Sequence, residues 1–321
     1  MKVLITGAEG FIGSHLVDKM LNQKIKVRAF ILYNSFNNWG WLNTYSSKRS
    51  KYLEVCLGNL TNYKSVFNAM KGCTHVVHLG ALIAIPYSYK SAHEYVNTNV
   101  EGTLNILEAA KELKVKKIIH TSTSEVYGSA QKVPILENHL INPQSPYAAS
   151  KASADNLVNS YYKSFNLPVV TLRPFNNFGP RQSLRAIIPT ILTQVIKNKK
   201  FVMLGNMNST RDFTFVDDIA RGTIAAIENV GYEIINLGGG NQPISMNTVI
   251  ATLEELLGKK ATINYRDFHK ADLKSTWADI SKADELLGWQ PKISLQEGLE
   301  NSVKWYVDNQ PWSSSIDLGT A

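Results

Sequence analysis

A short apolar strand candidate, Val3–Thr6, runs straight into Gly7-Ala8-Glu9-Gly10-Phe11-Ile12-Gly13, and a helical stretch from Phe11 to Asn22 follows. That order of strand, glycine turn and helix restricts the fold sharply. Gly7 permits the sharp exit from the strand, Gly10 a close approach of backbone to a pyrophosphate, and Gly13 tight packing of helix on sheet. The helix N-terminus then offers N–H donors and a positive dipole to an anion. The pattern predicts a dinucleotide site at the amino end of the chain.

The rest of the first half repeats the alternation. Strand candidates are Lys24–Leu32, Leu53–Cys56, His75–Leu79, Lys117–Thr121 and Val169–Arg173, with helical stretches between them. One of these, Tyr95–Leu113, carries Val96, Val100, Leu104 and Leu107 at spacings of three and four, a single buried stripe. Alternation of this kind predicts an α/β fold with a parallel sheet covered on both faces, doubly wound through right-handed crossovers. Beyond Arg173 the pattern loosens. Helices are expected at Ile187–Lys197, at Met246–Leu257 with Gly258 as its stop, and at Leu295–Val307, and a strand at Glu233–Leu237. The expected division is a Rossmann domain over residues 1–174, with a returning segment near 213–240, and a smaller, mainly substrate-binding α/β domain over 175–321. The polar tail from Gln310 is expected to fray.

Charge and composition narrow the partners. The 321 residues hold 34 Lys plus Arg against 26 Asp plus Glu, a formal net charge of +8. The lysine runs are short, and no basic stripe interleaved with aromatics points to nucleic acid. No stretch approaches the ~18 unbroken apolar residues of a membrane span. No leader-like segment precedes the first strand, so a cytoplasmic location is expected. Cys56 and Cys73 make no disulfide framework, and no metal cluster is expected.

A second motif lies about 140 residues after the glycine turn: Ser145-Pro146-Tyr147-Ala148-Ala149-Ser150-Lys151. Ser145 suits a helix N-cap and Pro146 the first turn. Tyr147 and Lys151, four apart, share one face. A neighbouring ammonium favours phenolate and is expected to lower the tyrosine pKa toward working pH. Such a tyrosine can take a proton from a sugar hydroxyl while hydride leaves for nicotinamide. Between the two motifs, Thr121-Ser122-Thr123-Ser124-Glu125 follows a strand candidate, so its side chains are expected at the carboxyl edge of the sheet.

With two residues between each pair of glycines and the later tyrosine–lysine pair, the chain resembles the extended branch of the short-chain dehydrogenase/reductase superfamily. Its nucleotide-sugar members are the closest in appearance. The resemblance implies a tightly bound nicotinamide cofactor held by Gly7, Gly10, Phe11, Ile12, Gly13, Tyr33, Asn34, Ser35, Asn59, Leu60, Leu79, Ala81, Asn99, Tyr147 and Lys151. The second strand lacks the acid that usually binds the adenosine ribose, and Asn59 stands where an Asp commonly touches adenine. The expectation is therefore NADP or NAD, with a lean to NADP. Thr123 matches the hydroxyl that binds the reacting sugar beside the tyrosine. Asn176 and Asn177 in Arg173-Pro174-Phe175-Asn176-Asn177-Phe178-Gly179-Pro180-Arg181 match a segment that contacts the sugar-nucleotide diphosphate. Arg211 matches a phosphate clamp. Arg181, Pro189, Tyr87 and Arg266 complete the implied substrate site. A UDP-sugar substrate and a homodimer, through a four-helix bundle built from Tyr95–Leu113 and the helix beginning at Pro146, are implied as well.

The reaction turns on Thr123-Ser124-Glu125. A glutamate at this position is useful when a 4-keto sugar must lose its C5 proton before the C6 hydroxyl leaves. Glucose-type 4,6-dehydratases carry Thr-Asp-Glu, whose Asp protonates the leaving hydroxyl. Here Ser124 replaces it, and Lys132 is a candidate to assist. Uronate decarboxylases carry Thr-Ser-Glu, and 4-epimerases need only the hydroxyl, the tyrosine and the lysine. The segments Asn34–Leu42 and Ala84–Tyr89 look like those of the short UDP-N-acetylglucosamine 4,6-dehydratases of legionaminic- and pseudaminic-type pathways. The resemblance thus implies a nucleotide-sugar 4,6-dehydratase giving a 4-keto-6-deoxy or 5,6-ene product. A 4-epimerase, a UDP-glucuronate decarboxylase and, in another class, a non-catalytic sensor of cofactor redox state remain as alternatives.

Overall fold

The computed structural model describes residues 1–45, 50–196, 202–204, 209–240, 243–265 and 275–315. Its centre is a seven-stranded parallel sheet of β1 (Lys2–Thr6), β2 (Lys26–Leu32), β3 (Leu53–Gly58), β4 (His75–His78), β5 (Lys117–Thr121), β6 (Val169–Pro174) and β7 (Glu233–Leu237). The order across the sheet is β7-β6-β5-β4-β1-β2-β3. All neighbours are parallel, with Val3 opposite Val27 on one side and His75 on the other.

A parallel sheet is buried on both faces, which is why its strands read as unbroken apolar runs. The two faces separate with period two. Val3, Ile5, Val77, Ile119 and Val170 enter one core cluster. Leu4, Val76, Ile118 and Val169 enter the opposite one. The first face is covered by α1 (Phe11–Asn22), α6 (Val216–Asn229) and α8 (Ser281–Leu287). The second is covered by α2 (Tyr63–Met70), α3 (Gly102–Glu112) and α4 (Pro146–Phe165). This is the doubly wound Rossmann-like arrangement expected from the alternation. A third cluster joins α5 (Ile187–Ile196), α7 (Met246–Leu257) and α9 (Leu295–Asp308) around Phe178 and Phe215. Gly258 ends α7 in the left-handed region, φ 60°.

Two expectations fail. The Tyr95–Leu113 stripe is not one α-helix: a short helix Ala92–Tyr95 passes into a π-helical segment, Val96–Glu101, before α3 begins. Such widened turns frequently mark functional sites. The start of the tail does not fray either, because Gln310–Ser315 is helical. Trp312 packs edge-on against Trp41 and Trp305, with ring centroids 4.8 and 5.6 Å away, and so ties the carboxyl end to the loop after β2.

Candidate active site

The chain reverses direction across the sheet between β1 and β4, and open α/β sheets bind ligands at such a point, beyond the carboxyl ends of the strands. A cavity of about 850 Å³ lies there. Gly7, at φ +64°, brings the first turn so close to β4 that a Cβ on it would stand 2.8 Å from Gly80 Cα. A Cβ on Gly13 would stand 2.2 Å from the Gly7 carbonyl oxygen. Gly10 caps α1 without a side chain, so the N–H groups of its first turn face the cavity uncovered. The Thr6 hydroxyl pairs with His78 Nδ1 at 2.8 Å and accepts from Gly80 N at 3.0 Å, which joins the two strand ends. The cradle therefore fits a dinucleotide pyrophosphate.

The other end of the cavity carries the tyrosine and lysine. The Ser145 hydroxyl accepts from Ala148 N at 3.1 Å and, with Pro146, starts α4. Tyr147 and Lys151 lie one turn apart on its buried face and both line the cavity. The Thr123 hydroxyl, which accepts from Glu125 N at 3.2 Å, stands on the same cavity wall as Tyr147 and favours its ionised form. Lys151 Nζ donates to the Thr121 carbonyl at 2.8 Å. One turn further along, Asp155 accepts from Arg173 at 2.9 and 3.2 Å and meets His120 at 3.1 Å. Burial pushes the Lys151 ammonium down to about 8, with Asp155 opposing. Burial also raises Tyr147 above its ordinary 10; the Thr123 side chain opposes this and the Glu125 charge adds to it. The expected lowering of Tyr147 is thus reversed, because desolvation of a phenolate outweighs the neighbouring hydroxyl.

Thr123, Ser124 and Glu125 line the cavity beside Tyr147, as do Asn176 and Asn177. Phe11, Ile12, Asn59, Leu60, Leu79 and Ala81 line it as well. Other sequence candidates stand elsewhere. Lys132 is exposed on a loop outside the cavity lining, which removes it as an acid for the leaving group. Arg181 is taken by Asp18, 2.7 Å away. Pro189 is buried inside α5. Tyr87 is exposed and donates to Glu94. Arg211 sits on a two-residue strand, donating to the Thr210 carbonyl, outside the lining. Asn99 is buried and frames the cavity without lining it: its amide binds Leu82 N and O at 2.8 and 2.9 Å and Ser150 Oγ at 2.9 Å. Asn34 spends its side chain on the Leu32 and Asn38 backbone, and Ser35 is exposed. Tyr33 borders a separate shallow depression. Arg266 falls outside the described residues.

Sequence reasoning missed Glu9, Glu94, Asn97, Thr98 and Gln182, all of which line the cavity. Asn97 and Thr98 sit on the π-helical segment beside Asn99 and line the cavity, which Asn99 does not. Glu9 stands inside the glycine turn, where the spacing of the glycines drew the reading. Among the described residues, no group of three or more His, Cys, Asp or Glu is placed to hold a metal ion, and no helix is long and apolar enough to cross a membrane.

The sheet order, the glycine cradle and the buried tyrosine–lysine pair define an extended short-chain dehydrogenase/reductase. Within that class the chain belongs to the family described as GDP-mannose 4,6 dehydratase, whose model matches residues 4–302. Its relatives include both nucleotide-sugar epimerases and dehydratases. A UDP-glucuronate 4-epimerase of Thermodesulfobacterium geofontis is 39% identical over 98% of this chain and 99% of its own. The UDP-glucuronic acid 4-epimerase of Bacillus cereus, solved with UDP-glucuronic acid and NAD, is 35% identical and superposes with a TM-score of 0.89, over 96% of this chain and 100% of that one. The dTDP-glucose 4,6-dehydratase of Streptomyces venezuelae, solved with NAD, is 28% identical with a TM-score of 0.90, over 97% of this chain and 98% of that one. Both solved neighbours hold NAD, which gives no support to the lean toward NADP.

Proposed function

We infer that the protein is an NAD-dependent nucleotide-sugar 4,6-dehydratase, with UDP-N-acetylglucosamine as the first substrate to test. The observation that carries the reading is Glu125 on the cavity wall beside the Thr123–Tyr147 pair. A second acid–base group there has work to do in an elimination and none in a simple inversion at C4. A nicotinamide held between the glycine turn and Tyr147 would supply the acceptor for the C4 hydride and its return after the elimination. Tyr147 takes the C4 hydroxyl proton, and Thr123 orients that hydroxyl and the phenol together. Lys151, anchored on Thr121, holds a positive charge that favours the phenolate form of Tyr147, the form that accepts this proton and becomes phenol. Glu125 removes the C5 proton that the neighbouring ketone has acidified and, now protonated, returns it to the departing C6 hydroxyl, which leaves as water. The glycine cradle and the α1 N-terminus bind the cofactor pyrophosphate, and Asn176 and Asn177 stand at the substrate end.

C4 epimerisation of UDP-glucuronate is the second reading, favoured by the 39% identical relative. The two part in deuterated water, followed by proton NMR on UDP-N-acetylglucosamine and UDP-glucuronate. Dehydration yields a C6 methyl carrying deuterium at C5, or vinyl protons for a 5,6-ene. An inverted C4 with C6 unchanged refutes the dehydratase reading.

The division into a cofactor part, residues 1–174 with the return at 213–240, and a substrate part over 175–321 belongs to the same reading. So does a homodimer through a four-helix bundle built from the Tyr95–Leu113 stretch and α4. Val96, on the π-helical segment before α3, and Phe165, at the end of α4, are exposed, and sedimentation at twice the chain mass is expected.

A further inference from the structure

The second strand ends at Leu32 without the acid that ordinarily grips the adenosine ribose, yet a carboxylate reaches that place from another segment. Glu9, in the middle of the glycine turn, accepts from Leu32 N through Oε1 at 2.8 Å. Its Oε2 is buried and has no hydrogen-bond partner among the described residues, and the residue lines the cavity. The position is held rather than incidental. Trp41 N donates to the Glu9 carbonyl at 3.2 Å, and a Cβ on Gly40, at φ +55°, would stand 2.9 Å from that same oxygen. The loop that holds it is closed on itself through Asn34, Asn38 and Asn43: Asn38 Oδ1 accepts from Gly40 N and Asn43 Nδ2, both at 2.8 Å. The polar residues after β2 are thus committed to building the loop, and the loop clasps Glu9.

We propose that Glu9 is the ribose-binding and cofactor-selecting residue, its open oxygen accepting from the adenosine 2′- and 3′-hydroxyls and repelling a 2′-phosphate. A buried carboxylate oxygen without a donor is costly, and a vicinal diol supplies the missing donors. A phosphate ester in the same place brings a second negative charge and no donor. Among the described residues that line the cavity, Lys151 is the single Lys or Arg, and it lies at the catalytic end, so no cation there neutralises a 2′-phosphate. Lys64 borders the neighbouring shallow depression with Tyr33 and is the competing candidate for receiving one.

The inference rests on the dinucleotide reading of the cavity and not on the sugar reaction, so its test uses ligands that lack nicotinamide. ADP-ribose and 2′-phospho-ADP-ribose are titrated calorimetrically into the full chain freed of nucleotide. The wild type is expected to prefer ADP-ribose by ~10-fold or more. Glu9→Gln keeps an acceptor for Leu32 N while removing the charge. It is expected to weaken ADP-ribose by ~10-fold or more and to bring the two ligands within about threefold of each other. Lys64→Gln is expected to leave the preference unchanged. A wild type that binds both ligands equally, or a Glu9→Gln variant with the wild-type preference, overturns the inference. A preference that depends on Lys64 overturns it as well. Binding of neither ligand overturns the dinucleotide reading itself. The wild-type comparison stands even where the Gln variant fails to fold.

Discussion

Lys151 Nζ donates to the main-chain carbonyl of Thr121 at 2.8 Å, across 30 residues of sequence. The buried ammonium is thereby fixed to the end of β5, one helical turn from Tyr147 and one from Asp155, whose side chain is about one-tenth exposed. The strand edge and α4 meet in this contact, and it sets the electrostatics of the catalytic end.

The cost of that burial is measurable. Lys151 titrates at about 8 in the folded chain, against an ordinary 10.5. Between those values the unfolded chain binds more protons than the folded one, so this group's contribution to stability rises with pH. The stability of the wild type minus that of Lys151→Met is expected to grow by about 3 kcal/mol across the window. Urea unfolding at steps from about pH 7 to pH 10 measures it, and a flat difference contradicts the burial argument.

Tyr147→Phe removes the proton acceptor and keeps the ring. Turnover is expected to fall by ~10²–10⁴-fold with nucleotide-sugar affinity little changed. Thr123→Val, which deletes the hydroxyl that would orient the sugar hydroxyl beside the phenol, is expected to cost about tenfold. Product formation and calorimetric affinity, measured on the same preparations, separate the two effects.

Glu125→Gln tests the elimination specifically. Dehydration is expected to slow by ~10²-fold or more, while oxidation at C4 persists. Absorbance of reduced nicotinamide near its usual band is therefore expected to build up on adding substrate. Undiminished dehydration would remove Glu125 from the C5 step.

The Arg173–Asp155 pair lies behind the site, almost wholly buried, with Tyr127 receiving a further Arg173 donor at 3.1 Å. Arg173→Met leaves Asp155 charged and without its main partner, and is expected to cost about 3–5 kcal/mol. The double variant with Asp155→Asn is expected to recover part of that loss, as equilibrium unfolding of the set reports.

The features legible in the sequence are those whose physics is local. Gly7 and Gly13 could be placed because a turn needs positive φ and a helix needs close approach, whatever surrounds them. The strands could be placed because burial on both faces leaves an apolar run. Features that depend on distant partners were not legible. Asn99 frames the cavity because it captures the backbone of Leu82 from 17 residues away. Arg181 belongs to the substrate site implied by its motif, and its pairing with Asp18 of α1, distant in sequence, cannot be read from that motif. The Tyr147–Lys151 spacing shows that the two side chains share a face, and burial, which the spacing does not contain, then sets the direction of both pKa shifts. Glu9 was hidden for the same reason: its role depends on the proximity of Leu32, and the turn it sits in reads only as a turn.

Elimination across C5 and C6 and inversion at C4 leave the C4 hydrogen in different places. UDP-N-acetylglucosamine carrying deuterium at C4 is incubated with the protein in ordinary water, and the product is read by NMR and mass. Elimination gives loss of water, with the label carried to a new C6 methyl group or, for a 5,6-ene, retained at C4 beside vinyl protons. Recovery of the intact sugar with its configuration inverted at C4, the label still there and the C6 hydroxyl in place, would contradict it.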